Sequence, residues 1–585
     1  MSSGMKRLAW FLAAAVLFVA ALFALVSALI PRDALESRMG EQIAGWTGRE
    51  VSLRGEPEIG FFPLRVTLND VEVGGPPGME DAGIVSMDSL TGRIRLLPLI
   101  IGRVEVDSFT MVRPRIHLVR AEDGRRNWEF DSGAAALQLA FSGDVPLGEF
   151  RVEGGSVLYQ DRKAGGEERL DSVDLTLEWT SVRNPIAIEG SGIWRGEQVR
   201  FSAGATAPFA YLNGSTTPFE ARIDAAPIGI VLGGEASDYP RLQLASALRL
   251  TTPSLRGFAS WLGSPLGSGS TFGATSLFGT ALLRDNVLSV ADAEVTLDGN
   301  RATGALKIAA GPTPDFSGTL AFGALDLSPY FFGLSEALAL GPDWRRVPLP
   351  TGGFGDMSAD VRLSAESVKL GDFSAGSTAA SVTLRDSRLE IGLARAAIGT
   401  GGLSGDLTVA ASADGAEVAT QMRATEVRVA ETAPFLGLPA SLSGVASVAV
   451  DLTAHGRDLG ALVETLSGKA EVKVEDGVVP LFGLAEIAAS GAAAPAASGV
   501  SPRPVESAAI GLSFLNGVGT VERANVVAAS YSATAGGWVG LADGGLSVNG
   551  LVKPGAPGAV ATTATPFTIE GTLRNPVARR HAMAN

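Results

Sequence analysis

A chain of 585 residues is too long for one ordinary hydrophobic core, so it predicts several domains or an array of repeats. The chain is 46% hydrophobic and can fold, and its net charge of −15 argues against a nucleic-acid partner, because phosphate binding needs clustered Lys and Arg. The absence of Cys and the presence of only three His residues argue against a thiolate or His-based centre; we expect no cofactor, metal or catalytic residue and no enzyme.

The first predicted element is a long segment without charge, Leu8 to Ile30. As a helix it would measure about 35 Å, enough for a hydrocarbon layer of about 30 Å, so it predicts a transmembrane helix. A cleaved signal peptide with its site near Val26-Ser27-Ala28 is the alternative, which the length of the run disfavours. Lys6 and Arg7 precede the span, so the positive-inside rule leaves residues 1–7 in the cytoplasm and the remainder across the membrane.

A second, amphipathic helix is predicted over residues 31–48. Asp33 suits its N-cap and Gly48 its end, and apolar residues recur on nearly one face at Leu35, Met39, Ile43 and Trp46. That face either lies against the membrane or packs on the first strands, and both alternatives stay open.

From Val51 onward the apolar period is two, which predicts β-strands. Residues 61–75 alternate through Leu64, Val66 and Leu68 and then change phase to Val71, as a β-bulge would require. Glycine pairs between such stretches favour short turns and an antiparallel arrangement. Helical patterns after residue 50 are few and short, among them 253–263 and 457–468.

Two stretches, 282–308 and 383–409, align without a gap at an offset of 101, and 514–540 is a looser echo. Repetition of a strand unit extends a sheet in one direction, so we predict an elongated, repetitive antiparallel β-sheet. Because one face of its strands is apolar, the sheet must either fold on itself or hold something else against that face. The Ala/Pro/Ser-rich stretch 489–504 is predicted to be a linker.

Four stretches together resemble the AsmA family: 30–78, 88–128, 455–479 and 566–576. Their phrases are strand and turn sequences such as FFPLRVTLNDVEVGG and PFTIEGTLRNP, and their order along the chain carries the resemblance. Members are similar to chorein-type bridge proteins, in which a curled β-sheet forms a gutter with an apolar floor for acyl chains. The resemblance implies a single-pass bacterial inner-membrane protein whose bulk is periplasmic and which takes part in phospholipid transport and outer-membrane integrity.

The expected function is therefore binding, and conduction, of phospholipid along an apolar groove in support of outer-membrane biogenesis. A non-enzymatic envelope scaffold or assembly regulator, acting through contacts with envelope proteins, is the alternative. Contacts with lipid headgroups are expected at Arg113 and Arg115. The candidate groove residues are Leu64, Val66, Leu68, Val104, Val106, Leu175, Leu177, Leu283, Leu288, Val290, Leu384, Leu389 and Ile391.

The predicted organisation follows from these elements. The proposed divisions are a cytoplasmic N-terminus (1–7), the transmembrane helix (8–30), the amphipathic helix (31–48), an N-terminal AsmA-like β region (49–240), the repeated groove region (241–425), a C-terminal AsmA-like β region (426–488), the linker (489–504) and a terminal β segment (505–585).

Overall fold

The structure, a computed structural model, describes residues between 49 and 580. The gaps are 50, 62, 77–78, 80–82, 96–105, 129–145, 182, 239–240, 267–270, 312, 331–343, 350–354, 356, 413–414, 434–440, 481–483, 490–496, 499–501, 556–563 and 574. The prediction of a mainly β, largely antiparallel chain with a few short helices is confirmed. The chain divides into two units, Met1–Ser246 and Ala247–Asn585.

Unit 1 contains twelve complete strands among its described residues. They are β1 (Val51–Leu53), β2 (Glu58–Phe61), β3 (Leu64–Val73), β4 (Val85–Ile94), β5 (Val106–Val112), β6 (Arg115–Arg120), β7 (Pro146–Asp161), β8 (Gly166–Ser181), β9 (Ile186–Trp194), β10 (Glu197–Ala205), β11 (Thr217–Ala225) and β12 (Ile228–Ser237). Strands β7 to β12 follow one another as antiparallel neighbours. Strands β5 and β6 both lie parallel to β7.

The predicted change of phase in β3 occurs at Asp70, whose φ is 51°. Leu68 and Val71 are 1% and 2% exposed, so both side chains enter one core although they are three residues apart. Val66 and Met87 complete the buried cluster. Asn69 lies opposite Ser89 and Val71 opposite Met87, so the register with β4 does not shift and the predicted β-bulge is wrong for this pair. The left-handed backbone of Asp70, not an extra residue, changes the phase, and one side of the strand stays apolar along its whole length.

Strand β13 (Gln243–Thr252) contains residues of both units. The strands of unit 2 are β14 (Thr275–Arg284), β15 (Val287–Leu297), β16 (Asn300–Ala309), β17 (Asp315–Asp326), β18 (Ser358–Leu370), β19 (Phe373–Ala375), β20 (Thr378–Arg385), β21 (Arg388–Ile398), β22 (Gly401–Ser412), β23 (Gly415–Arg428), β24 (Ser443–Gly456), β25 (Ser467–Pro480), β26 (Ala497–Ser498), β27 (Pro502–Leu515), β28 (Val518–Ala528), β29 (Tyr531–Gly540), β30 (Gly545–Pro554), β31 (Thr565–Thr572) and β32 (Pro576–Arg580).

Among the strand pairs that the structure describes in unit 2, β17 and β18 are parallel and the others are antiparallel. Strand β27 begins at Pro502, inside the predicted linker, and pairs directly with β25. Residues before and after that stretch therefore share one sheet.

The repeated stretches form the same hairpin. Strands β14 and β15 are joined by Asp285-Asn286, and β20 and β21 by Asp386-Ser387, with positive φ at all four residues. Positive φ at both turn residues is the type I′ geometry that suits the twist of a two-residue hairpin. The looser echo has the same turn at Asn516-Gly517.

The described helices are short. They are α1 (Pro208–Leu212), α2 (Leu255–Trp261), α3 (Val429–Thr432), α4 (Leu459–Thr465) and α5 (Leu484–Ala489), with 3-10 turns at Ser328–Tyr330 and Trp344–Arg346. Helices α2 and α4 lie within the predicted stretches 253–263 and 457–468. The Ser254 hydroxyl caps α2 by accepting from Gly257 N at 3.0 Å, and the Asp458 carboxylate caps α4 by accepting from Ala461 N at 2.8 Å.

No helix in the described part of the chain is both long and apolar enough to cross a membrane. The predicted transmembrane helix at 8–30 and the amphipathic helix at 31–48 lie outside the described residues.

We predict that Leu68→Ala lowers the free energy of unfolding by about 2–5 kcal/mol, because it leaves a cavity in a closely packed cluster. Urea unfolding of the purified protein, followed by circular dichroism, measures this change. Glu72→Ala is the control: the Glu72 side chain is 45% exposed and pairs with Arg54 at 2.5 Å, and such a pair contributes less than about 1 kcal/mol. Equal losses in the two variants would contradict the assignment of Leu68 to the core.

Candidate functional site

The candidate site is one face of each sheet, and strand register defines it. Residues directly opposite each other on neighbouring strands lie on the same face, so a chain of partners traces a row across the sheet. In unit 2 such a row runs across nine strands from β14 to β23. Its members are Leu283, Leu288, Ile308, Phe316, Ala359, Leu384, Leu389, Val409 and Val418.

The adjacent row on the same face is also apolar. Its members are Ala281, Val290, Leu306, Gly318, Val361, Val382, Ile391, Leu407, Thr420 and Leu452. Only Thr420 carries a polar side chain. Together the two rows form a continuous apolar strip that runs across successive strands of the sheet.

The opposite face of the same strands is mainly polar. The row between the two apolar rows begins at Leu282 on β14, which is 39% exposed, and ends at Ala419 on β23. Between them it comprises Ser289, Lys307, Ser317, Asp360, Thr383, Glu390 and Thr408. Charges of both signs alternate with hydroxyl groups, as expected for a solvated face.

Unit 1 has the same division. An apolar row comprises Leu68, Leu90, Met111, Val152, Leu175, Gly190, Phe201, Ile223 and Ile230. The next row on that face contains Val66, Phe109, Phe150, Leu177 and Ile188. The row on the other face comprises Thr67, Thr91, Thr110, Arg151, Thr176, Glu189, Ser202 and Arg222.

The structure brings the candidate groove residues together unit by unit. Leu283, Leu288, Leu384 and Leu389 share one row of unit 2, and Val290 and Ile391 share the next. In unit 1, Leu64, Val66, Leu68, Leu175 and Leu177 lie on the apolar face, and Val106 lies opposite Ile94. Val104 lies outside the described residues. Whether any of these residues contacts lipid stays a prediction.

The two apolar faces are only partly covered. Val290 and Leu384 are 1% and 8% exposed, whereas Phe316 in unit 2 and Ile223 in unit 1 are 36% and 39% exposed. Most other candidates are half-buried, namely Leu64, Leu175, Leu177, Leu283, Leu288, Leu389 and Ile391. Large apolar side chains with residual exposure along a continuous strip mark a surface that gains free energy by contact with apolar matter.

One important element was missed by sequence reasoning. Helix α5 places Leu484 (6% exposed) and Ile487 (3% exposed) on the apolar face of β29 to β31. The i, i+3 spacing of these two residues was the available signal, but a helix of six residues is too short for periodicity to reveal it.

Arg113 and Arg115 are exposed and share the carboxylate of Asp88. The Arg113 Nε donates to Asp88 Oδ2 at 2.7 Å, and an Arg115 nitrogen lies 3.5 Å from Asp88 Oδ1. Two guanidinium groups against one carboxylate leave a local positive charge. At the other end of the β4–β5 pair, hydrogen bonds from Arg95 and then Arg93 hold the pKa of Asp107 below its usual value.

A polar network fastens the end of β15 to two neighbouring loops. The Asp298 carboxylate accepts hydrogen bonds from Phe272 N at 2.9 Å, Gly273 N at 2.7 Å and the Tyr330 hydroxyl at 2.8 Å. Partial burial acts to raise the pKa of Asp298, but these hydrogen bonds outweigh it and the pKa is lowered. Burial, followed by the bond to Asp298, raises the pKa of Tyr330.

Unit 1 contains a concave pocket with a volume of about 720 Å³. Its walls carry charges of both signs, from Arg151, Arg200, Arg222, Glu153, Asp174, Glu189 and Asp224. Their near balance favours neither an anion nor a cation, and we assign no ligand to this surface. In the described part of the chain, no three Asp, Glu or His side chains form a cluster suited to a metal.

These observations define a class: β-repeat proteins that present a continuous apolar strip on one face of the sheet. A scan against protein families matches the AsmA family over residues 1–235 and 340–523, more than half of the chain. The protein belongs to the AsmA family, which is associated with the bacterial envelope, and the predicted resemblance is confirmed. A search of the curated proteins finds no match.

We predict that Asp298→Asn lowers the melting temperature at neutral pH, because the neutral amide is a weaker acceptor than the carboxylate. The folded-state pKa of Asp298 is depressed, so its stabilisation is present above the unfolded value of about 3.9 and is lost as pH falls through the folded value. The difference from the natural protein should therefore shrink below about pH 4. Asp386→Asn, in an exposed turn, is the control; a difference independent of pH would contradict the prediction.

Proposed function

We propose that this protein binds phospholipid by laying acyl chains along its apolar faces and conducts lipid along them. The observation that carries the proposal is the register, which aligns Leu283, Leu288, Leu384 and Leu389 in one row with Ile391 beside it. Membership of the AsmA family and the strand-rich fold fit a lipid-transport or envelope role.

The energetics support an acyl chain as the ligand. Each methylene removed from water contributes about 0.8 kcal/mol, so a chain of about fifteen methylenes gains on the order of 10 kcal/mol on a continuous apolar strip. Uniform contact allows the chain to shift along the strip without losing that gain. A curled sheet would form a groove around the chains and leave the headgroups in water.

The remaining parts of the proposal concern location. The segment Leu8 to Ile30 anchors the protein in the bacterial inner membrane with its N-terminus in the cytoplasm, and the bulk of the chain lies in the periplasm. In that position a lipid-conducting surface would support outer-membrane biogenesis. Envelope proteins are further proposed partners.

We predict that photo-crosslinking in cells labels phospholipid at every second residue of β21 and β8. A photoreactive residue at Leu389, Ile391, Leu175 or Leu177 should give phospholipid adducts, because these positions lie on the apolar faces. Probes at the intervening Glu390 and Thr176 are the matched controls and should give none. Adducts to proteins alone, at either set of positions, would sink the proposal and favour the scaffold.

A pair of charges on the apolar strip should reduce lipid binding. We predict that Ile391→Asp with Leu407→Asp, two directly opposed residues, lowers the phospholipid recovered at Leu389 by about tenfold or more, because an unpaired carboxylate is costly against an acyl chain. Thr383→Asp with Thr408→Asp adds the same charge to the opposite face of the same hairpins. Equal losses from both pairs would show that charge rather than the apolar face decides the result.

We also propose headgroup contacts at Arg113 and Arg115, supported by their exposure and the local positive charge. Replacing both by Gln should reduce labelling of unit 1 by a phospholipid with a photoreactive headgroup roughly two- to fivefold, the range of an exposed charge interaction. The control is Arg125→Gln, whose guanidinium pairs with Asp123 in an exposed loop at 2.7 Å. Unchanged labelling in the double variant would remove both residues from the proposal.

A further inference from the structure

The C-terminal part of the apolar strip is covered by the chain itself. Helix α5 contacts β29, β30 and β31. Its buried side chains Leu484 and Ile487 join one closed hydrophobic cluster with residues of the sheet. The sheet members are Val505, Ala528, Tyr531, Ala533, Val539, Leu546, Val552, Phe567, Ile569 and Ala578.

Helix α5 lies on the continuation of the row that contains Ile391. From Leu452 the partners run through Gly468, Phe514, Gly519 and Val539 to Leu546. The helix is therefore on the same face as the candidate groove residues of unit 2, several strands further along the same sheet.

Exposure differs between the two parts of this face. Between β14 and β23 the exposure is mixed: Val290 and Leu384 are buried, Ile391 and Leu407 are half-buried, and Phe316 is 36% exposed. In the cluster around α5, Leu546, Phe567 and Ile569 are 6%, 1% and 4% exposed, and Val548 is half-buried. In the C-terminal part, side chains of the helix and of the sheet already supply the apolar contacts that an acyl chain would otherwise make. A lipid would have to displace packed Leu and Ile side chains to enter it.

We propose that α5 is the end of the lipid-binding strip of unit 2, which confines acyl chains to β14 through β25 and excludes them from β28 through β31. This inference rests on the proposed function. The two ends of the strip therefore differ: α5 closes one end, and lipid enters and leaves elsewhere along its length.

The sequence of α5 suits this role. Leu484 and Ile487 are three residues apart and so point to the same side of a helix, and the rest of LAEIAA is mainly Ala. Alanine has a high helix propensity, which favours so short a helix.

The experiment places the same photoreactive leucine analogue at either of two positions, Ile391 or Val548, in the full-length protein in cells. Both positions are half-buried on the same face, but Val548 packs against the α5 cluster. We expect phospholipid adducts at Ile391 and at least roughly tenfold fewer at Val548. Equal yields at the two positions would show that α5 does not end the lipid-binding strip, but would leave the proposed function standing. Adducts at neither position would overturn both this inference and the proposed function.

Removing the helix side chains tests the cause. In Leu484→Ala with Ile487→Ala, adducts at Val548 should rise toward the level at Ile391. Val505→Ala is the matched control. It removes a side chain of the same cluster that belongs to the sheet and not to the helix, so Val548 should stay unlabelled. If Val548 stays unlabelled in the double variant while Ile391 still gives adducts, α5 is not the stop. If the double variant does not fold, the comparison within the natural sequence decides.

Discussion

The structure depends on one constraint, the pairing of β-strands in a register that keeps apolar residues opposite apolar residues. In a strand of period two, a shift by one residue would send every side chain to the other face. The row from Leu283 to Val418 crosses nine strands without such an error. Because the error-free register extends across so many strands, a local property of each hairpin becomes a surface on the scale of the whole sheet.

Much of the strand and hairpin arrangement could be predicted from the sequence, because alternating apolar residues indicate the strands and turn-forming residues indicate the hairpins. The repeated stretches contain Arg-Asp-Asn and Arg-Asp-Ser at the first turn, and both turns adopt the positive φ values that such residues tolerate. The change of apolar phase between Leu68 and Val71 likewise predicted where the strand departs from regular geometry, which in the structure is at Asp70. These signals are local, and local backbone preferences determine them.

The sequence could not reveal features that depend on distant partners. Nothing in residues 315–370 indicates that β17 and β18 pair in parallel, because the direction of pairing is decided by the connection between them. The six residues of α5 carry too few turns to show a period, and their role comes from strands that follow in the sequence. The Asp298 network is similarly non-local, since Tyr330 and Phe272 lie on different loops.

The two-residue turns have a consequence for how such a protein changes length over generations. A hairpin closed by Asp285-Asn286 or Asp386-Ser387 is self-contained: its own turn fixes its register. Gene duplication of a whole hairpin would therefore insert a unit whose faces already agree with those of its neighbours. A gain or loss of one residue within a strand, by contrast, is tolerable mainly where a bulge can take it up, as between Val290 and Ala293. Relatives of different lengths are accordingly expected to differ by entire hairpins rather than by single residues.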